Sequence, residues 1–474
     1  MNPEAFRKEA HELIDWICDY RQRIEDMPVR TRVGPGDIRG ALPATPPEEP
    51  EPFADVMRDL ESIVVPGITQ VQHPMHFGWF PSNASLASVL GDFASSGLGT
   101  LGISWESCPA LTEVEEVVCD WMRQLVGLSD SWKGTIHDTA STACLTAMIL
   151  AREKATDYGE TRGGLQQADN PLVVYTTEEA HSSVRKAALL AGFGADNIRN
   201  VPMDPHTRAM RPEALVALIE QDQAAGAVPA MAVASVGSTG ITAMDPVEAM
   251  ADCARRYGIW LHVDAAMAGS AMLLPECRHL WQGVEGADSV SWNPHKWMGT
   301  ILDCSLFYVR DPGHLVRVMS TNPSYLRSGV DGEVTQYRDW GIPLGRRFRA
   351  LKLWFHLRLD GIGAIRRRLR DDLENARWLA EQVEAEPRWT LEAPVTLQTV
   401  CVLHRPPGLD GEALDAHTLA WVDAINRSGA AFLSPAKIGG RWIVRVSVGV
   451  EATERHHVEA LWNLVRETAA GIPA

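Results

Sequence analysis

Short apolar runs alternate with helical patterns through the middle of this chain, and that alternation restricts the fold more than any other feature. Strand-length segments stand at 171–176, 230–235, 258–264, 287–292 and 305–309. Helical periodicity fills 182–191, 212–222 and 246–257 between them, and 111–125 and 141–154 read as two further helices upstream. Strands that are apolar on both faces must be covered on both faces. A largely parallel sheet flanked by helices meets that need, so the class is α/β.

The ends of the chain have a different texture. Residues 3–25 read as an amphipathic helix, with Phe6, Ala10, Leu13, Ile14 and Ile17 on one stripe, and a Pro-rich connector follows at 34–53. A tethered helix of this kind cannot bury its apolar face alone, so it lies on its own chain or on a partner subunit. Long helices at 349–360 and 362–385, short strands at 398–403 and 442–448 and a last helix near 454–468 form an α+β portion. We therefore divide the chain into an N-terminal helical segment (1–85), a large α/β domain (86–350) and a small C-terminal α+β domain (351–474).

Composition removes several functions. A chain of 474 residues suits two or three domains, and a net charge of −17 argues against a nucleic-acid partner or an anionic membrane surface. The least polar long stretch, 84–105, holds Asp92 and many Ser and Gly residues and makes a poor membrane span. The eight cysteines show neither Cys-x-x-Cys spacing nor a zinc-ligand array, so no metal site is expected and reduced thiols in a cytoplasm are the plain reading. Glu4, Arg7, Lys8 and Glu9 mix charges at the start, so no signal peptide is expected. The run Arg366-Arg367-Arg368 with Arg370, beside Asp371, Asp372 and Glu374, reads as a solvated helix face.

The chemistry concentrates at two strand ends. Asp264 closes the segment 258–264, and Lys296 stands just past 287–292 in Asn293-Pro294-His295-Lys296. Open α/β sheets bind ligands at the carboxyl ends of their strands, so both side chains reach one edge. A lysine and a carboxylate there suit pyridoxal phosphate: the amine can hold the aldehyde as a Schiff base, and the carboxylate can pair with the protonated ring nitrogen. Either piece alone reads more simply, as a solvated loop or a helix cap. Thr139-Ala140-Ser141-Thr142 opens a helix and has the composition of a phosphate cradle, or of plain N-capping. Gly237-Ser238-Thr239-Gly240 and His181 follow strands on the same edge.

Asp264-Ala265-Ala266, Asn293-Pro294-His295-Lys296-Trp297, Ala180-His181-Ser182-Ser183 and Leu344-Gly345-Arg346-Arg347-Phe348 together resemble the group II pyridoxal phosphate-dependent decarboxylases. Within that group the chain is most similar to the aromatic-L-amino-acid decarboxylases, bacterial DOPA and tryptophan decarboxylases included. The resemblance spans nearly the whole chain. It implies a fold type I enzyme with a mostly parallel seven-stranded sheet, acting in the cytoplasm as a homodimer with shared active sites and the N-terminal segment wrapped on the partner. It also implies roles. Lys296 would carry the cofactor, Asp264 would hold the pyridinium, His181 would stack on the ring, and Ala266 would pack on its other side. Ala140, Ser141, Thr239, Asn293 and His295 would surround the phosphate and polar edge. Tyr325 would donate the proton to the substrate carbon from a loop that moves. The expected reaction is decarboxylation of an aromatic L-amino acid to its arylalkylamine.

The substrate pocket is expected from Val71, Trp79, Phe80, Pro81, Ser82, Leu101, Ile103, Leu302 and Gly345. Val71 stands where the animal enzymes usually have tryptophan, Trp79 where they have tyrosine, and Ile103 and Leu302 where phenylalanine is common. These departures leave tryptophan, DOPA, tyrosine and phenylalanine all open. The nearest rival is an aromatic aldehyde synthase, in which decarboxylation is coupled to oxidative deamination. Retention of both Tyr325 and His181 argues against it. Decarboxylation of an acidic or diamino acid would need a charged group deep in the pocket, and the stretch 71–82 offers only His73 and His76. A cofactor-free binding protein on the same scaffold would have no use for Lys296 and Asp264.

Overall fold

The computed structural model describes residues 1–321 and 329–473, and their contacts form two compact units. The larger comprises Ser82–Ala376 with Ala393–Thr399, and the smaller Met1–Pro81, Arg377–Glu392 and Val400–Ala474. The first and last of the three sequence segments thus both contribute to the smaller unit.

The larger unit is built on strands β1 (Lys133–His137), β2 (Leu172–Thr176), β3 (Ile198–Asn200), β4 (Val228–Ser235), β5 (Trp260–Asp264), β6 (Ser289–Trp292) and β7 (Ser305–Val309). They form one seven-stranded sheet in the order β1-β7-β6-β5-β4-β2-β3. Pairing from β3 through β6 is parallel, and β7 runs antiparallel to both β6 and β1. The mostly parallel seven-stranded sheet read from the sequence is therefore present. Every residue of β2, β5, β6 and β7 is buried, as expected of strands covered on both faces. Helix Ala140–Ala155 packs on β4, β5, β6 and β7, while Val247–Tyr257 packs on β4 and β5. Among the described residues, no helix is long and apolar enough to cross a membrane.

Two strands of this sheet escaped the sequence reading. β3 is only three residues long, and β1 reads Lys-Gly-Thr-Ile-His, with a single large apolar side chain. β1 is a strand because of its neighbours: it pairs with β7 on one side, and on the other the buried Glu115 carboxylate accepts the Ile136 N–H at 2.8 Å. A lone polar strand cannot announce that support in advance.

In the smaller unit β8 (Trp389–Leu391), β9 (Thr399–His404), β10 (Ser434–Ile438) and β11 (Arg441–Ser447) make a four-stranded sheet in the order β10-β11-β9-β8. Trp389 packs edge-on against Trp421 and Trp462 of the helices Gly411–Ser428 and Arg455–Gly471, at ring separations of 5.8 and 5.2 Å. The N-terminal segment joins this core through Val29 N–H to Gly429 O and Phe77 N–H to Phe432 O, each 2.9 Å.

Candidate active site

The site begins where the parallel strands end. Ser235, Asp264 and Ser291 stand in register on β4, β5 and β6, so whatever follows those residues emerges at one edge. Asp264 is buried, and its Oδ1 accepts the Ala266 N–H at 3.0 Å, a short local bond that orients the carboxylate. His262 lies two residues earlier on the same face of β5. Its Nδ1 meets Ser289 Oγ at 2.9 Å and its Nε2 meets Ser291 Oγ at 3.2 Å, tying β5 to β6 directly behind Asp264. Burial pushes His262 down to about 4, against the opposing pull of Asp264. The sequence reading passed over His262, although its alternation with Asp264 in a strand was the available signal.

Past β6, Asn293 is pinned on both sides. Its N–H donates to Ala266 O at 2.9 Å, and its Oδ1 accepts the Ser305 hydroxyl at 2.6 Å. The turn Pro294–Met298 follows, and Lys296, half-buried, breaks it with φ/ψ of −98°/−116°. The Lys296 N–H returns to Asn293 O at 3.0 Å. His295 is buried, with Nδ1 accepting the Cys304 N–H at 3.0 Å. Burial, then the nearby Lys296 cation, pushes His295 down to about 4, so it serves as a neutral ring.

His181 opens helix Ser182–Leu190, where its Nδ1 faces the Ser183 hydroxyl at 2.7 Å and accepts the Ser183 N–H at 3.2 Å. His181 is exposed. Desolvation and then the Lys296 charge hold its pKa below the ordinary histidine value, while Asp264 pulls the other way. Lys296 and Asp264 thus both lie close enough for His181 to sense their charges.

Helix Ala140–Ala155 begins at the same edge. Thr139, ahead of it, places no side-chain cap on the helix amides, no acidic residue occupies the first turn, and Ser141 is exposed. The helix senses the centre too: Asp264 adds to the burial that raises the Cys144 thiol. Thr239 lies half-buried in the turn after β4, beside Gly237, where an added Cβ would come within 2.7 Å of the Ala268 Cβ. The donor set fits pyridoxal phosphate: an amine for the aldehyde, a carboxylate for the ring nitrogen, and helix amides with hydroxyls for the phosphate.

The predicted pocket residues fall on both units. Val71, Trp79, Phe80 and Pro81 belong to the smaller unit, where Trp79 adopts φ 51° and packs against Phe432 at a ring separation of 4.9 Å. The Arg445 guanidinium lies 4.8 Å over the Phe80 ring. Ser82, Leu101, Ile103, Leu302 and Gly345 belong to the larger unit. There the Gly102 N–H donates to Arg346 O at 3.1 Å, which brings Leu101 and Ile103 beside Gly345, and a Cβ at Gly345 would lie 3.7 Å from Leu101 Cδ1. Arg346 is anchored in turn by buried Glu115 at 2.6 Å. Leu101 and Leu302 are each 55% exposed. Tyr325 lies outside the described residues.

Comparison with known proteins agrees with this chemistry. The family model described as the pyridoxal-dependent decarboxylase conserved domain matches residues 35–404. A tryptophan decarboxylase of Camptotheca acuminata is 38% identical over 482 residues, which covers 99% of this chain and 95% of that protein. A phenylacetaldehyde synthase of a Rosa hybrid cultivar is 38% identical over 488 residues, covering 100% and 95%. The solved structure of Oryza sativa TDC with PLP and tryptamine matches with a TM-score of 0.96 at 36% identity, covering 99% of this chain and 98% of that one. All three are plant proteins, whereas the sequence resemblance had included bacterial enzymes.

Proposed function

The chain belongs to the pyridoxal-dependent decarboxylases, and from that premise we propose that it converts an aromatic L-amino acid to the corresponding arylalkylamine and carbon dioxide. The observation that carries the assignment is that Lys296 and Asp264 both follow parallel strands at one sheet edge and both act electrostatically on His181. Pyridoxal 5'-phosphate, when bound, supplies the electron sink that accepts the pair left behind by the departing carboxylate.

The residues divide the remaining work. The Lys296 amine would be the covalent anchor for the cofactor aldehyde. Asp264, oriented by the Ala266 N–H, keeps a proton on the ring nitrogen. The His181 ring would stack on the bound cofactor, and Ala266 would pack against it as well. The first-turn amides at Ala140 and Ser141, with Thr239, hold the phosphate. Asn293 and neutral His295 border the polar edge. The site would select which bond breaks by the way it orients the substrate, so specificity would be largely positional. Tyr325 is assigned on sequence as the proton donor to the substrate carbon.

An aromatic substrate fits the relatives named above and the apolar surface of Leu101, Ile103 and Leu302, with Gly345 leaving room. We also propose a homodimer. None of the residues of helix Pro3–Arg23 is buried, and helix Leu86–Leu98 exposes Leu86, Leu90, Phe93 and Leu98, apolar faces that a second copy would cover. Free cysteines throughout fit a reducing cytoplasm. The Rosa relative keeps aldehyde synthesis as the second reading.

Mass spectrometry of products from a panel of aromatic and acidic amino acids, with Lys296→Ala as control, tests the assignment. An aromatic amine that disappears in the control upholds it. Aldehyde with ammonia moves the chain to the second reading, and no product from any aromatic acid overturns the substrate class.

A further inference from the structure

The charged run on helix Gly361–Ala385 is not uniformly solvated. Arg367, Arg370, Asp371 and Glu374 are exposed, and Arg370 pairs with exposed Glu276 at 2.6 Å. Asp372 is only 1% exposed, however, and Arg368, one turn before it, is mostly covered. Arg366 is half-buried too, its Nε donating to Leu273 O at 2.7 Å, and Arg368 and Asp372 likewise depart from the sequence expectation. Both reach the turn that carries Lys296.

That turn needs outside support. It is interrupted at Lys296 and ends at Gly299 with φ +111°, so the carbonyls of Trp297 and Met298 are not taken up by a continuing helix. Arg368 Nη2 donates to both, at 2.6 Å to Trp297 O and 2.7 Å to Met298 O. Asp372 Oδ2 accepts the indole N–H of the fully buried Trp297 at 2.8 Å and pairs with Arg368 Nη1 at 3.3 Å. A side chain at residue 299 would be strained at that φ, and its Cβ would press on Arg368 Nη2 and His356 Cε1, both at 3.4 Å. The near side of the turn is held separately, by Asn293 and by the Cys304 N–H on His295. Lys296 therefore stands between two clamps, and the far one is this pair.

We propose that Arg368 and Asp372 are positioning residues for Lys296, acting through Trp297 and the turn carbonyls without touching cofactor or substrate. The proposal rests on the reading that Lys296 holds the cofactor. A buried ion pair contributes little net stability over an apolar replacement, so stability alone does not account for a carboxylate kept here. Burial pushes Asp372 up to about 6, against the attraction of Arg368 and the Trp297 indole N–H and with Asp371 adding repulsion. A group so placed serves to aim its partners.

The test uses the holoenzyme with Arg368→Met, Arg368→Lys and Asp372→Asn, and with Arg370→Ala as a surface control on the same helix. Three quantities are read: the pH titration of the absorbance of the lysine-bound cofactor, kcat and KM separately, and the melting temperature. Misplacing the amine should lower kcat by about ten- to a hundredfold in Arg368→Met, with a smaller change in KM and a displaced absorbance titration. Arg368→Lys should recover part of the loss, and Arg370→Ala should match wild type. A folded, loaded Arg368→Met with wild-type titration and kcat overturns the proposal. Should that variant fail to fold, an unmoved titration in Asp372→Asn overturns it equally. Lys296→Ala separates the two layers. If it retains the lysine-linked absorbance, the reading of Lys296 fails. If it loses the absorbance while the brace variants stay unchanged, only the positioning inference fails.

Discussion

The proposed cofactor side and the proposed substrate side of the larger unit are built differently. Around Lys296 the backbone is over-determined: Asn293, His295, Trp297 and Met298 each meet a partner from another element, and the side chains involved are buried. On the proposed substrate side Leu101, Leu302 and Gly345 are exposed and lie on irregular segments, two of which are joined by the Gly102–Arg346 backbone bond. Chemistry common to all substrates requires fixed geometry, whereas selectivity can be altered on an open rim without disturbing it. The contrast predicts which substitutions act on every substrate and which discriminate.

The largest effect is expected from Asp264→Asn. Loss of the charge at the ring nitrogen should lower kcat by about 10²–10³-fold. The fall should be equal for phenylalanine, tyrosine and tryptophan, and steady-state kinetics on the three would expose any rim contribution. Next comes Glu115→Gln, which leaves buried Arg346 uncompensated and should cost about 3 kcal/mol in urea unfolding. Because Arg346 O holds Gly102, the substrate ranking of this variant should shift as well; an unchanged ranking would detach the rim from its anchor.

A smaller effect concerns pH. His262 is held near 4 in the fold, and its unfolded value lies near 6.5. A depressed histidine contributes stability that is present above about pH 6.5 and lost as the pH falls through about 4. Wild type should therefore lose about 2 kcal/mol more than His262→Gln between pH 7 and 5, measured by urea titration at each pH. Parallel curves would show that the ring behind Asp264 accepts a proton without penalty. The smallest effect is at the rim. Gly345→Val should weaken tryptophan relative to phenylalanine by about tenfold in kcat/KM, the scale of a methylene or two in an apolar pocket, with the melting temperature unchanged. Equal losses for both substrates would erase the distinction between the two sides.

Much of the inner side was legible in the sequence because it depends on local order. Asp264 and Lys296 follow apolar strands directly, and parallel strands bring their ends to one edge whatever else the chain does. His181 and the helix at Ala140 obey the same rule. The brace was not legible. Arg368 and Asp372 share a helix and a charge pattern with Arg370 and Glu374, and an i, i+4 pair looks the same whether it faces water or Trp297. β1 was hidden for a related reason, since its outer amide depends on Glu115 from another element.

By itself, then, the sequence determined the alternating architecture, the strand ends at which Asp264 and Lys296 stand and the chemistry proposed for them, because periodicity and strand-end position are local properties. Only the tertiary structure decided which charged residues turn inward, how the turn at Lys296 is held from both sides and that Leu101 lies against Gly345. Those facts depend on residues far apart in the chain meeting across packed elements, and no local pattern of side chains specifies which distant partner will satisfy a buried polar group.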